Sequence, residues 1–101
     1  MNPPIITEKG EATIREALAK YGADAQLVKL MEECGELTAA ASHYRSKREG
    51  ALVALLEELV DVRIMSMQIE HLLDPSGLSF AMMLERKIER LAAKLARRSA
   101  P

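Results

Sequence analysis

Glu32, Glu33 and Glu36 lie in the run LVKLMEECGEL (residues 27–37), and Glu57, Glu58 and Asp61 occupy the same places in LVALLEELVDV (residues 52–62), 25 positions later. Carboxylates three residues apart on a helix stand on neighbouring turns, where the two can bracket one cation. The places four residues after Glu33, Glu36, Glu58 and Asp61 hold Leu37, Ala40, Val62 and Met65, so none carries a compensating base. Glu32 with Glu36, and Glu57 with Asp61, are like-charge pairs that weaken a helix slightly. A single acidic run of this kind is an ordinary solvated face. Two runs in register point to a shared unit. Four carboxylates gathered at one place repel unless a cation neutralises them, and all-oxygen donors suit Mg²⁺ first and Mn²⁺ next.

The elements that position these groups read as helices. Thr7 can cap a first helix to about Tyr21, closed by Gly22, with Ile14, Leu18 and Tyr21 on its apolar side. Asp24 can cap a second, whose stripe is Leu27, Leu30, Met31, Cys34, Leu37, Thr38 and Ala41. Ser42–Gly50 turns polar. A third helix follows from about Ala51 to Leu73, with Leu52, Leu55, Leu56, Leu59, Val62, Ile69 and Leu73 inward. Asp74-Pro75-Ser76-Gly77 is a turn, and Ser79 can cap a fourth helix to about Arg98, with Met82, Met83, Ile88, Leu91 and Leu95 as core positions. At roughly 100° per residue from Leu27, the second stripe centres near ~310°, with Glu33 on its shoulder near ~240° and Glu36 near ~180°. Glu58 and Asp61 take the same angles from Leu52. Antiparallel pairing of the two helices would bring Glu33, Glu36, Glu58 and Asp61 to one seam. The expectation is an all-α, four-helix chain whose antiparallel hairpin packs into an oligomeric bundle, with residues 1–101 forming a single domain.

The bulk composition agrees. Of 101 residues, 49% are hydrophobic but only 3% aromatic, a Leu/Ala/Val/Ile/Met mix that favours helices over sheets. A chain this short buries a limited share of its surface, so self-association is expected. Net charge is −1, which gives no general pull toward nucleic acid. It is unevenly spread: residues 1–78 carry 8 basic and 13 acidic groups, residues 79–101 carry 6 basic and 2 acidic. Cys34 is the single cysteine, so an internal disulfide is excluded, and nothing reads as a signal or a membrane span; a soluble cytoplasmic protein is expected.

Glu32-Glu33-Cys34-Gly35-Glu36-Leu37 resembles the EExxEL signature of the MazG-like nucleoside triphosphate pyrophosphohydrolases, and Glu58-Leu59-Val60-Asp61-Val62 resembles the ExxDV signature that follows it. The resemblance covers about Gln26 to Leu73, more weakly Lys87–Arg90. It implies Mg²⁺-dependent cleavage of a (deoxy)nucleoside triphosphate between the α and β phosphates, with Glu33, Glu36, Glu58 and Asp61 as metal ligands and Glu32 orienting a water or second ion. It also implies homodimers or homotetramers with sites shared between subunits. Such chemistry needs cations to hold the outgoing pyrophosphate. Lys29 lies one turn before Glu33, near ~200°. Lys87 and Arg90 resemble the basic pair that follows the acidic motifs in many members, with Arg86 and Lys94 as substitutes. Two other readings stand beside this one. Phosphoribosyl-ATP pyrophosphohydrolases share the acidic hairpin, and a non-enzymatic helical module could use the acidic seam for recognition.

The remaining residues have plainer roles. Cys34 reads as a small buried hydrophobe. His43 and His71 lack zinc spacing. Tyr44 and Phe80 could stack on a base but suit packing. Gln26 and Asp24 precede the acidic motif and could reach a base or ribose.

Overall fold

The computed structural model describes residues 6–99, so the Pro3-Pro4 lead-in lies outside the described residues. Four helices and no strand are present among them: α1 (Glu8–Tyr21), α2 (Ala23–Arg45), α3 (Ala51–Leu73) and α4 (Leu78–Ser99). None is long and apolar enough to cross a membrane.

Thr7 caps α1 as expected: its hydroxyl accepts from the Gly10 N–H at 3.0 Å, and Glu8 and Glu11 sit at the positive end of the helix. Gly22, at φ +89°, ends α1 and is also the N-cap of α2. The expected cap of α2, Asp24, is instead inside its first turn, because one residue of glycine freedom suffices to redirect the chain. Ser79 is likewise inside α4. There the Asp74 carboxylate accepts from the Phe80 N–H at 2.8 Å, and the Ser76 hydroxyl from the Leu78 N–H at 3.3 Å.

Packing is dominated by α2 against α3, with α1 laid on both. Gln26, near the start of α2, donates to the Gln68 side chain, near the end of α3, at 2.7 Å. The expected stripes are displaced. On α2 the buried residues are Gln26, Glu33 and Ala40, with Leu30 and Leu37 half-buried, while Leu27, Met31, Cys34, Thr38 and Ala41 are exposed. The buried line therefore centres near ~260°, about 50° from the expected stripe. On α3, Ala51, Met65, Gln68 and Ile69 are buried and Leu55, Glu58 and Val62 half-buried, whereas Leu52, Leu56, Leu59 and Leu73 are exposed. The reason is width. The apolar residues of each helix spread wider than one contact; α2 and α3 close on a line that includes Gln26, Glu33 and Glu58 and leave the apolar line beside it uncovered.

The α4 positions read as core, Met82, Met83, Ile88, Leu91 and Leu95, are all exposed, as is every described residue from 75 to 98. Among the described residues the buried apolar set is only Ala40, Ala51, Met65 and Ile69. The radius of gyration is 16.7 Å, against about 13 Å for a compact chain of this length.

Candidate metal centre

Three of the four seam carboxylates come together. Glu33, Glu36 and Glu58 each bring one oxygen within 4.8 Å of the others. They differ in setting. Glu33 is buried at 7% exposure because it lies on the line that α2 turns to α3, not on its shoulder. Glu58 is half-buried and Glu36 exposed. The paired helices thus place two acidic side chains in a seam that is otherwise apolar apart from the Gln26–Gln68 pair.

Two atoms are left without partners. Glu33 Oε2 and Glu58 Oε2 are enclosed and receive no hydrogen bond. An enclosed carboxylate oxygen with no donor is costly and rare in folded proteins. The Glu58 carboxyl is held above its usual range, first by loss of water and then by the neighbouring charges of Glu36, Glu33 and Asp61. The donor set is all oxygen and anionic, which fits a hard divalent cation. Asp61 is exposed, and its charge acts on Glu58 without joining the tight group.

Lys29 answers part of the charge. Its ammonium lies 3.3 Å from Glu33 Oε1 and 3.8 Å from Glu32 Oε2, at the solvent rim. Its pKa is raised, by the hydrogen bond to Glu33 before all else. Glu32 itself is exposed. Lys87 and Arg90 are not brought to the carboxylates: they flank an exposed patch on α4 with Leu91 and Lys94.

Several minor expectations change. Cys34 is exposed, not buried, since the burial line passes one residue before it. Gln26 does not face a ligand space; at 8% exposure it is committed to Gln68, itself 3% exposed. That glutamine pair escaped the sequence reading. Its signal is the seven-residue step: Gln26, Glu33 and Ala40 share one line, as do Ala51, Glu58 and Met65. Tyr44 and Phe80 are both exposed, and His71 borders a cavity of about 450 Å³ with Arg15 and Glu70. Comparison of the chain with family profiles, curated proteins and solved structures gives no match.

Proposed function

We propose that the chain is a divalent-metal-dependent nucleotide pyrophosphohydrolase, cutting a (deoxy)nucleoside triphosphate to monophosphate and pyrophosphate. The observation that carries this reading is the pair of enclosed, donor-free oxygens on Glu33 and Glu58 beside Glu36. A cation is the simplest partner for them, and a polyphosphate is the substrate that most needs one. The doubled acidic motif and its resemblance to the MazG-like group support the same assignment.

In this reading Glu33, Glu36 and Glu58, with Asp61 at the rim, hold Mg²⁺, or Mn²⁺ in its place. When bound, the ion neutralises phosphate charge and makes a nearby water more acidic. Glu32 orients the attacking water from the exposed side. Lys29, paired with Glu33 at the rim, would offer its ammonium to a phosphate oxygen once a cation takes over the Glu33 charge. Lys87 and Arg90 hold the outgoing pyrophosphate, which requires α4 to reach a carboxylate site by assembly. The scaffold is an antiparallel α2–α3 hairpin, a geometry supported by the Gln26–Gln68 bond between opposite ends of the two helices. The working form is a homodimer or homotetramer. A reducing cytoplasm suits the free thiol of Cys34.

The test is a Mg²⁺-dependent pyrophosphate-release assay over a nucleotide panel that includes phosphoribosyl-ATP. Release is expected, and Glu33→Ala should lower it on the order of 100-fold or more, the scale of several kcal/mol of charge stabilisation. No release from any nucleotide, or equal rates in the variant, would overturn the assignment.

A further inference from the structure

Two apolar surfaces remain uncovered on one chain. The first is on the hairpin. The exposed line of α2 (Leu27, Met31, Cys34) and that of α3 (Leu52, Leu56, Leu59) each lie one residue after the buried line, a turn of about 100°. In antiparallel helices an equal turn about each axis carries both lines to the same side. They form one apolar face, and Glu36 and Asp61, turned the other way, lie on the opposite face. Leu56 and Leu59 continue from this face into a groove of about 710 Å³ on the outer side of α3 beside α1, bordered also by Val60, Ile64 and Met67 and by the polar Arg63 and Glu70.

The second surface is α4. Leu84, Ile88 and Leu91 are spaced four and three apart, a heptad line, and all are exposed. Lys87, Arg90 and Lys94 border it on one side, and Glu85 and Glu89 on the other. A helix of 22 residues, about 33 Å long, keeps its shape in water mainly through packing of such a line. The turn at its root fixes its direction. Gly77 takes φ +76°, and Asp74 and Ser76 cap the first α4 N–H groups. Every described residue of α4 up to Arg98 is exposed, so within one chain the helix buries no side chain on α2 or α3.

We propose that α4 is an exchanged arm: in a two-fold pair of identical chains, each α4 lays its Leu84–Ile88–Leu91 line in the α1–α3 groove of the other copy. Three observations select a second copy as the occupant. Both halves of the contact are on the same chain, which is what a closed two-fold pair requires. Charge is complementary at long range, with a balance of +4 in residues 79–101 and −5 in residues 1–78, while the groove itself holds one base, Arg63, and one acid, Glu70. The exchange covers the α4 line and the α3 part of the open surface, used twice, and draws the expanded chain into a more compact unit. The inference rests on the homo-oligomeric part of the function proposed above and is independent of the metal, so magnesium-dependent release of pyrophosphate and arm exchange fail separately.

A complementation experiment tests it. Leu56→Glu spoils the groove and leaves the arm; Ile88→Glu spoils the arm and leaves the groove. Light scattering should show the wild type at twice the chain mass or more, and each variant alone as a monomer that keeps its helical circular dichroism. An equimolar mixture should return to dimer, because the arm of the first fits the groove of the second. A mixture that stays monomeric, or a variant that stays dimeric alone, overturns the exchange. As a measurement free of buried charges, Leu56→Cys and Ile88→Cys on a Cys34→Ser chain are joined with a short bis-maleimide. A covalent dimer supports the arm. An internally bridged monomer places α4 on its own hairpin, and a dimer formed by Leu56→Cys alone places groove on groove; either overturns it.

Discussion

Glu58 is the residue where the cost of the carboxylate cluster is concentrated. Its folded pKa lies above the unfolded one, so the folded metal-free chain binds a proton more tightly than the unfolded chain. Stability therefore falls as pH rises from the ordinary glutamate range through the raised value, and is highest below that window. Metal-free melting temperatures should accordingly be higher near pH 5 than at pH 7.5, and Mg²⁺ should restore the difference at the higher pH. Glu58→Gln should flatten this pH dependence, raise the metal-free melting temperature at neutral pH and remove the Mg²⁺ response. A pH-independent wild-type melt, unchanged in the variant, would count against the cluster as described. At this scale the sequence was informative: the 25-residue repeat and the three-residue steps single out Glu33, Glu36, Glu58 and Asp61, of which the first three come within 4.8 Å of one another. Lys29, the counterion of Glu33, was legible only as a base one turn away; the fold decides that its ammonium closes on a carboxylate.

Helices α2 and α3 show why an apolar stripe does not by itself say which edge is buried. On α2 the more apolar line, Leu27, Met31 and Cys34, stays outside, while Gln26 and Glu33 go in. Hydropathy reports total apolar width, and a wide stripe serves two neighbours at once. The Gln26–Gln68 bond sits at the end of the hairpin far from the Ser46–Gly50 connection, so the connection holds one end and the amides the other, with the carboxylates between. Gln26→Leu alone should cost about 1–3 kcal/mol by chemical denaturation, because the Gln68 amide is left enclosed without its partner. Gln26→Leu with Gln68→Leu should recover most of that loss, as replacing both partners by apolar groups often does. A strictly additive double variant would show that the two amides act separately. The helix bounds agree within one or two residues except at the end of α2, which runs to Arg45 through part of the segment read as polar from Ser42, and helix existence was well read at this scale. The caps of α2 and α4 were not, since Gly22 and the Asp74–Ser76 turn act through backbone geometry that Asp24 and Ser79 only resemble in type.

For the whole molecule, the imbalance between a small buried set and a broad exposed apolar surface has a thermodynamic consequence. Leu56, Leu59, Leu84, Ile88 and Leu91 each keep roughly half of their area in water within one chain. Stability supplied by covering them belongs to the assembly and follows mass action. The melting temperature should therefore rise with protein concentration, by a few degrees per tenfold change for a domain of this size; a value independent of concentration over two decades would show that the single chain carries its own stability. Sequence length and apolar content make association an expectation, but do not say which surface would take part, because that depends on how α2 and α3 divide their apolar residues. Salt adds a second handle. The opposed balances of the two ends attract less as ions screen them, so an exchanged pair should loosen at high ionic strength.

The five-residue connection Ser46–Gly50 joins the two helices that pack most closely, so their encounter is a search over a very short tether. Such local closure takes microseconds or less, whereas an α4 exchanged between copies would wait on a collision between molecules. The chain would thus acquire its shape at two speeds, one set by its own topology and one by how crowded its surroundings are. A newly made copy spends the interval between them as a finished hairpin trailing a sticky limb, open to proteases and to chance partners until a sibling arrives.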